Sequence, residues 1–180
     1  VGSEMCIRDR VTPNGETYEI PANQETEISD PQLWWPNGLG EQPLYTVTAE
    51  CCGDVQSKRI GLREMKLIRE KDKYGECFCH EVNGVRFFAM GADYIPEDNI
   101  LSRCTKERNH RLLELVKNFN HNVIRVWGGG YYPDPWFYDY CDENGILVWQ
   151  DLMFACHVYD VTDSFEKNAV EELSLIHISE

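Results

Sequence analysis

Hydrophobic and polar positions change their spacing near residue 70. Before that point, short or alternating apolar runs have the pattern of half-buried β-strands, and they lie at 17–20, 44–49 and 55–67. After it, residues 77–82 and 85–90 predict a hairpin around Asn83-Gly84, and strand and helix patterns then alternate. This order predicts the last part of a β-sandwich followed by an α/β domain.

Residues 122–156 predict a βαβ unit. Apolar runs at 123–127 and 146–149 indicate buried parallel strands, and the helix between them begins near two prolines and stops at Asn144-Gly145. The carboxyl ends of parallel strands face the ligand crevice in such units. The side chains predicted at that edge are Arg125, Trp127, Trp149 and Asp151, together with the glycines at 128–130.

Two apolar features outside this unit are predicted to serve packing. A helix that Thr105 can cap carries apolar positions predicted to line one face, namely Leu112, Leu115, Val116 and Phe119. In the β-region, the loop dipeptide Trp34-Trp35 is interpreted as an anchor at a domain interface, with ligand contact as the alternative.

The two ends of the chain are expected to be foreign to the rest. If residues 3–10 are back-translated as TCG GAG ATG TGT ATA AGA GAC AG, the reverse complement encodes LSLIHIS followed by Asp or Glu. The chain ends in LSLIHISE, so one oligonucleotide read in opposite directions accounts for both ends. Residues 1–10 and 173–180 are therefore interpreted as translated library-adapter sequence. Two native tails with complementary codons are the alternative.

Composition narrows the range of partners. The formal net charge of −14 argues against a nucleic-acid backbone and favours a neutral or cationic ligand. No stretch is apolar for long enough to cross a bilayer. The cysteines lack CxxC spacing, and the pattern favours cysteines that remain reduced. Reduced cysteines are typical of cytoplasmic proteins, so the prediction leans towards the cytoplasm. A metal site at Cys77, Cys79 and His80 is the alternative interpretation.

The residues alone leave other site interpretations open. Asp93 and Asp151 both end predicted strands and could form a catalytic carboxylate pair, and His157 follows a strand end and could join a site. The glycines at 128–130 could cradle a phosphate, but the Lys and Ser/Thr of a nucleotide loop do not follow them. A tight turn or close approach to a sugar explains the glycines better.

Four motifs together resemble the β-mannosidases of glycoside hydrolase family 2. They are LWWPNGLGEQPLY at 33–45, GLRE at 61–64, VNGVRFFAMGADYIPED at 82–98 and IRVWGGGYYPDPWFYDYCDENGILVWQDLMFAC at 124–156. The resemblance covers about residues 30–172 in the correct order.

The resemblance implies a multidomain β plus α/β protein. Residues 11–70 would form the C-terminal part of an immunoglobulin-like β-sandwich, and residues 71–172 the first part of a (β/α)8 TIM barrel. The family uses two glutamates after the fourth and seventh barrel strands, without a cofactor. This chain would supply only barrel strands one to three, near Phe87, Val123 and Leu147, so no catalytic residue is assigned and both glutamates are expected beyond residue 172.

The resemblance also implies a sugar-binding edge. Arg125 matches the arginine that supports the nucleophile's carboxylate, with a structural ion pair as the alternative. Trp127, Trp149 and Asp151 are candidates for the pocket around a terminal mannose, although either tryptophan could instead belong to the core. Asp93 could bind a sugar hydroxyl or cap the following turn.

The implied parent is a retaining exo-β-mannosidase that removes terminal β-D-mannose from the non-reducing ends of oligosaccharides. An exo-β-glucosaminidase or other family 2 glycosidase is one alternative, and a non-catalytic carbohydrate-binding barrel relative is another. Three strands cannot close a barrel, so the 180-residue chain itself is expected to be inactive and poorly folded.

Overall fold

The computed structural model describes residues 6–11, 15, 17–18, 27–51 and 53–179. The chain divides into two compact units, Val1–Phe88 and Ala89–Glu180. Among the described residues, no helix is long and apolar enough to span a membrane.

In its described residues, the first unit contains two antiparallel sheets. One sheet has the order β2-β1-β3-β4 and is formed by β1 (Cys6–Val11), β2 (Thr17–Tyr18), β3 (Tyr45–Cys51) and β4 (Asp54–Ile60). The other has the order β5-β6-β7 and is formed by β5 (Met65–Ile68), β6 (Cys79–Val82) and β7 (Val85–Phe87). The predicted strand over 55–67 is therefore two strands, β4 and β5. Strand pairing says nothing about codon origin, so the interpretation of residues 1–10 and 173–180 stays a prediction.

The hairpin between β6 and β7 is confirmed. Asn83 and Gly84 take positive φ values of 51° and 79°, which a tight two-residue turn between antiparallel strands requires. The Asn83 side chain also ties the turn to the loop before β3, because its amide donates to the Trp34 carbonyl at 3.0 Å. Since β6 pairs with β5, the hairpin belongs to the first compact unit. The compact units divide after Phe88, and the predicted domain boundary between residues 70 and 71 stays a prediction.

The second unit is built on a parallel sheet of order β10-β9-β8. Its elements are β8 (Gly91–Tyr94), a 3-10 turn (Leu101–Arg103), α1 (Lys106–Asn118), β9 (Val123–Val126), α2 (Pro135–Asn144), β10 (Leu147–Gln150) and α3 (Asp163–Ser179). The first strand of this sheet was expected near Phe87, and that expectation was wrong. Phe87 pairs with His80 in the hairpin, and the parallel strand begins at Gly91, where a side chain would collide with the Val123 carbonyl.

Local signals placed the helix ends correctly. The Thr105 hydroxyl accepts a hydrogen bond from the backbone N–H of Arg108 and caps α1. In α2, Pro135 occupies the first turn, and Gly145 ends the helix with a φ of 73°. The predicted βαβ unit is therefore confirmed, with parallel pairing between β9 and β10.

The predicted apolar face of α1 was largely wrong. Leu112, Leu115 and Phe119 are 41%, 51% and 71% exposed. The buried positions are instead Asn109 and Leu113, at helical spacing, with Val116 packed partly against the core. Asn109 on this buried face is held by hydrogen bonds to Tyr94 and Glu97, which satisfy the amide where the helix meets the core.

The core of the second unit lies on one face of the parallel sheet. Its buried members are Tyr94, Leu113, Ile124, Val126, Phe137, Cys141 and Ile146. Successive strand residues point to opposite faces, so the neighbours of these core residues on β8 and β9, Asp93 and Arg125, point away from this core. The buried face thus determines which side chains remain available for a site.

Candidate functional site

Three of the predicted site residues form one row across the parallel sheet. Strand register places Asp93 of β8 beside Arg125 of β9, and Arg125 beside Trp149 of β10. Residues paired across neighbouring strands share a face of the sheet. The row therefore joins a carboxylate, a guanidinium and an indole near the carboxyl ends of three strands.

Asp151 holds Arg125 from the end of β10. The guanidinium Nε and Nη2 of Arg125 donate to Oδ1 and Oδ2 of Asp151 at 3.1 and 2.7 Å. Oδ2 also accepts the backbone N–H of Gly128 at 3.2 Å. The hydrogen bond to Asp151 is the main cause that raises the pKa of Arg125 above its ordinary value, so Arg125 stays a cation.

Asp93 meets the same arginine more loosely. Its two oxygens lie 3.4 and 3.5 Å from Nη1 of Arg125. The Asp93 side chain is 58% exposed, whereas that of Asp151 is 21% exposed. The two carboxylates that the sequence placed in one pocket therefore have different surroundings, and Asp93 is the more accessible.

The glycines at 128–130 lie in close contact with their surroundings. A side chain at Gly128 would collide with the Leu152 carbonyl, one at Gly129 with the Trp127 indole, and one at Gly130 would lie 2.9 Å from the Pro96 ring. The N–H of Gly128 donates to Asp151, and the N–H of Gly130 donates to the Trp127 carbonyl at 3.3 Å. Since these two amides already have protein partners, a tight loop that supports Trp127 describes the segment better than a phosphate cradle.

The two candidate tryptophans of the site are not core residues. Trp127 is half-buried and lies across Gly129, and Trp149 is 45% exposed within the row that contains Arg125. An exposed indole face beside polar groups can pack on the C–H patches of a sugar. Both positions are thus compatible with the predicted sugar-binding role.

A buried hydrogen-bond network lies behind the row and was not predicted from the sequence. Asn109 of α1 is fully buried, and its amide donates to the Tyr94 hydroxyl at 2.9 Å and to Glu97 Oε1 at 2.7 Å. Burial, with a smaller contribution from Glu97, raises the pKa of Tyr94, which keeps the hydroxyl protonated. The sequence held one sign of this network: Asn109 lies four residues before Leu113, so both residues share one face of the helix. The network joins α1 to the end of the strand that carries Asp93.

The remaining candidate residues from the sequence, His157 and the group of Cys77, Cys79 and His80, contact residues outside the row. The His157 ring meets the Tyr159 ring edge-on at 5.3 Å. His80 stacks on Phe87, and Cys77 Sγ accepts the N–H of Glu70 at 3.3 Å. In the part of the chain that the structure describes, no group of three or more His, Cys, Asp and Glu side chains could hold a metal ion.

Trp34, the first tryptophan of the pair at 34–35, is packed within the first unit. Trp34 is 1% exposed, and its ring covers Gly61 and lies 4.5 Å below the guanidinium carbon of Arg63. Its carbonyl accepts from Asn83 and its N–H donates to Leu62. Trp34 therefore anchors the loop before β3 to the segment after β4 within its own unit.

Comparison with known sequences finds one family and a set of named relatives. The model of the family described as glycosyl hydrolases family 2 matches residues 7–63. Beta-mannosidase B of Aspergillus oryzae is 42% identical over 157 residues, which is 82% of this chain and 19% of the relative. The relative from Aspergillus fumigatus is 40% identical over 165 residues. The chain spans about a fifth of the length of these relatives.

Solved structures show the same fold in longer enzymes. The β-D-mannosidase of Dictyoglomus thermophilum superposes with a TM-score of 0.82 and 35% identity, over 93% of this chain and 23% of that one. The exo-chitosanase CsxA of Amycolatopsis orientalis superposes with a TM-score of 0.60 and 22% identity, over 86% of this chain and 19% of that one. The second likeness concerns the fold alone.

Proposed function

We propose that this chain, which belongs to glycosyl hydrolase family 2, is part of a retaining exo-β-mannosidase. The observation that carries the proposal is the row Asp93–Arg125–Trp149 at the carboxyl ends of parallel strands, in a chain 42% identical to a protein named beta-mannosidase B. The substrate is a terminal, non-reducing β-D-mannose residue of an oligosaccharide. The likeness to the β-D-mannosidase of Dictyoglomus thermophilum supports the same assignment.

The parallel sheet of the second unit is proposed to be the start of a (β/α)8 barrel. Its strands β8, β9 and β10 alternate with helices in the order that such a barrel requires. The antiparallel sheet of β1–β4 is proposed to belong to an immunoglobulin-like sandwich that precedes the barrel. The row at the strand ends then lies at the barrel face on which enzymes of this architecture bind substrate.

Hydrolysis with retention needs two carboxyl groups about 5 to 5.5 Å apart. One protonates the leaving oxygen and the other attacks the anomeric carbon, and water then releases the sugar. We assign both groups to glutamates on later barrel strands. Nη1 of Arg125 faces Asp93 beyond the Asp151 contact, so this edge of the guanidinium can approach the nucleophile's carboxylate. A fixed cation there favours the ionised form that attacks.

The residues of the row are proposed to surround the sugar. Trp127 and Trp149 supply indole faces for the C–H patches of the ring, since both remain partly accessible. Asp93 is exposed and only loosely paired, so its carboxylate is able to accept a hydrogen bond from a sugar hydroxyl.

The test is hydrolysis of aryl glycosides by the longer protein that contains this chain. Release of aglycone from an aryl β-mannoside, with the β-anomer of mannose as first product, is the expected result. Preference for an aryl β-glucosaminide would move the assignment to a neighbouring branch of the family. Binding of a mannoside without release of product would favour a non-catalytic sugar-binding role.

The 180-residue chain is proposed to be inactive by itself. Strands β8 and β10 are the two edges of a three-stranded parallel sheet, and unpaired sheet edges promote association between chains. Purified chain is expected to elute as aggregates without a cooperative melting transition. A monodisperse monomer with a sharp transition would contradict this proposal.

A further inference from the structure

Asp151 has little hydrogen-bonding capacity left for a ligand. An ionised carboxylate offers about four acceptor positions. Three donors from the protein already occupy Asp151: Nε of Arg125 at 3.1 Å, Nη2 of Arg125 at 2.7 Å and the N–H of Gly128 at 3.2 Å. Among the described residues, Asp93 receives two long contacts, both from Nη1 of Arg125.

The paired contact determines where the free edge of Arg125 points. Two parallel N–H···O bonds fix the plane of a guanidinium, which a single contact does not. Because Asp151 takes Nε and Nη2, Nη1 is left on the side of Asp93. The direction of the remaining cationic edge therefore depends on Asp151.

The same carboxylate also fixes the loop at 128–130. Its Oδ2 accepts the Gly128 N–H, and the Gly128 backbone packs closely against the carbonyl of Leu152, the residue after Asp151. The next glycine in the loop supports the Trp127 indole. One side chain thus links the ends of β9 and β10 and holds both Arg125 and the support of Trp127.

We propose that Asp151 is a positioning residue of the glycosidase and not a ligand of the sugar. It acts through Arg125 and the glycine loop, and it leaves Asp93 as the carboxylate of this row that meets a sugar hydroxyl. The inference rests on the proposed function, and it separates two aspartates that the sequence placed together in one pocket.

The test compares Asp151→Asn with Asp93→Asn in the longer protein that contains this chain. Asparagine at 151 keeps the shape but accepts through one oxygen only, so Arg125 and the loop lose their fixed positions. We expect kcat to fall about 100-fold, as for a small misplacement of a reacting group, with KM changed less than about threefold. Asp93→Asn should instead raise KM about tenfold, the size expected for one lost hydrogen bond.

Two further measurements distinguish a positioning role of Asp151 from a non-specific loss of structure. If Arg125 supports the nucleophile, Asp151→Asn moves the acidic limb of the kcat/KM profile to higher pH, because a carboxylate without a fixed cation nearby is harder to ionise. Asp93→Asn should leave that limb in place. Asp151→Glu retains both oxygens and should recover part of kcat. Melting temperatures of the three variants should differ little.

The outcomes distinguish this inference from the proposed function. Substrates are an aryl β-mannoside, β-glucosaminide and β-glucuronide, and the variants are compared on whichever is cleaved, so a different sugar preference refutes only the mannosidase assignment. If none is cleaved, crystal structures of the two variants still decide. A displaced Arg125 in Asp151→Asn, but not in Asp93→Asn, supports positioning. An unmoved Arg125, or a rise in KM with unchanged kcat in Asp151→Asn, overturns it.

Discussion

Two arginines of this protein are each held between two carboxylates, one in each compact unit. Arg86 in the hairpin binds Glu70 through Nη2 and Nη1 at 2.8 and 3.0 Å and meets Glu81 at 3.4 Å. Arg125 in the parallel sheet binds Asp151 at 2.7 and 3.1 Å and meets Asp93 at 3.4 Å. The distances in the two ion pairs are therefore almost the same, although Arg86 binds Glu70 through Nη1 and Nη2, and Arg125 binds Asp151 through Nε and Nη2.

The two arginines differ in what surrounds them. Arg86 lies on an exposed hairpin beside its cross-strand neighbour Glu81. The carboxylates around Arg125 come from positions 32 and 26 residues away in the chain and meet where strands end and glycine-packed turns begin. An ion pair by itself thus indicates nothing about function. The strand ends around Arg125 make it a candidate site.

Replacing each arginine by lysine should give the largest contrast. Lysine cannot reproduce the bidentate fork, so Arg125→Lys is expected to lower kcat/KM of the longer protein about 1,000-fold, near the upper effect of removing one transition-state donor. Arg86→Lys should leave kcat/KM within about twofold, as expected for an exposed ion pair. Steady-state kinetics on an aryl β-mannoside measures both. Equal losses would show that the hairpin pair also serves catalysis.

The two units also differ in how they use tryptophan. Trp34→Ala removes a side chain that is 1% exposed and should lower the free energy of unfolding by about 3–5 kcal/mol. Trp149→Ala removes an indole that is 45% exposed and should cost less stability while raising KM, because aromatic packing contributes about 0.5–1.5 kcal/mol. Urea titration and kinetics of the longer protein separate the two effects. A larger stability loss at 149 would assign Trp149 to packing.

Alanine substitutions at two glycines, one in each unit, compare the backbone of the site with the backbone of the hairpin. At Gly128 an alanine would collide with the Leu152 carbonyl, which should cost about 1–3 kcal/mol and lower kcat through the Asp151 contact. At Gly84 there is open space but a φ of 79°, so alanine should cost about 1–2 kcal/mol without an effect on kcat. Unfolding midpoints and kcat of both variants test this. An unchanged kcat in Gly128→Ala would remove the loop from the proposed mechanism.

The smallest expected effect concerns the stability of the fold at low pH. The Ile100 N–H donates to Asp98 at 2.9 Å, and this bond, with Arg108, lowers the pKa of Asp98. The ionised form is therefore favoured in the folded state. Its contribution to stability is complete above the unfolded pKa of about 3.9 and is lost as the pH falls through the folded value. Asp98→Asn should make the melting temperature fall less between about pH 5 and pH 2. An unaltered slope would contradict this.

Local patterns predicted the elements that depend on neighbouring residues. The Asn83-Gly84 turn, the Thr105 cap and the Gly145 stop all use contacts within a few residues, so periodicity and turn chemistry were sufficient. The start of the parallel sheet and the buried face of α1 were predicted incorrectly. Both depend on distant partners, the Val123 carbonyl at Gly91 and the Tyr94 hydroxyl at Asn109.

The sequence by itself determined the family resemblance, the βαβ unit and the set of residues at its carboxyl edge. Only the tertiary structure decided what each of those residues does. Asp93 and Asp151 have the same chemistry and both lie at strand ends, but one is exposed beside Arg125 and the other accepts three bonds from Arg125 and Gly128. Side-chain type and local propensity are encoded along the chain, whereas the donors around a carboxylate are set by strand register and packing.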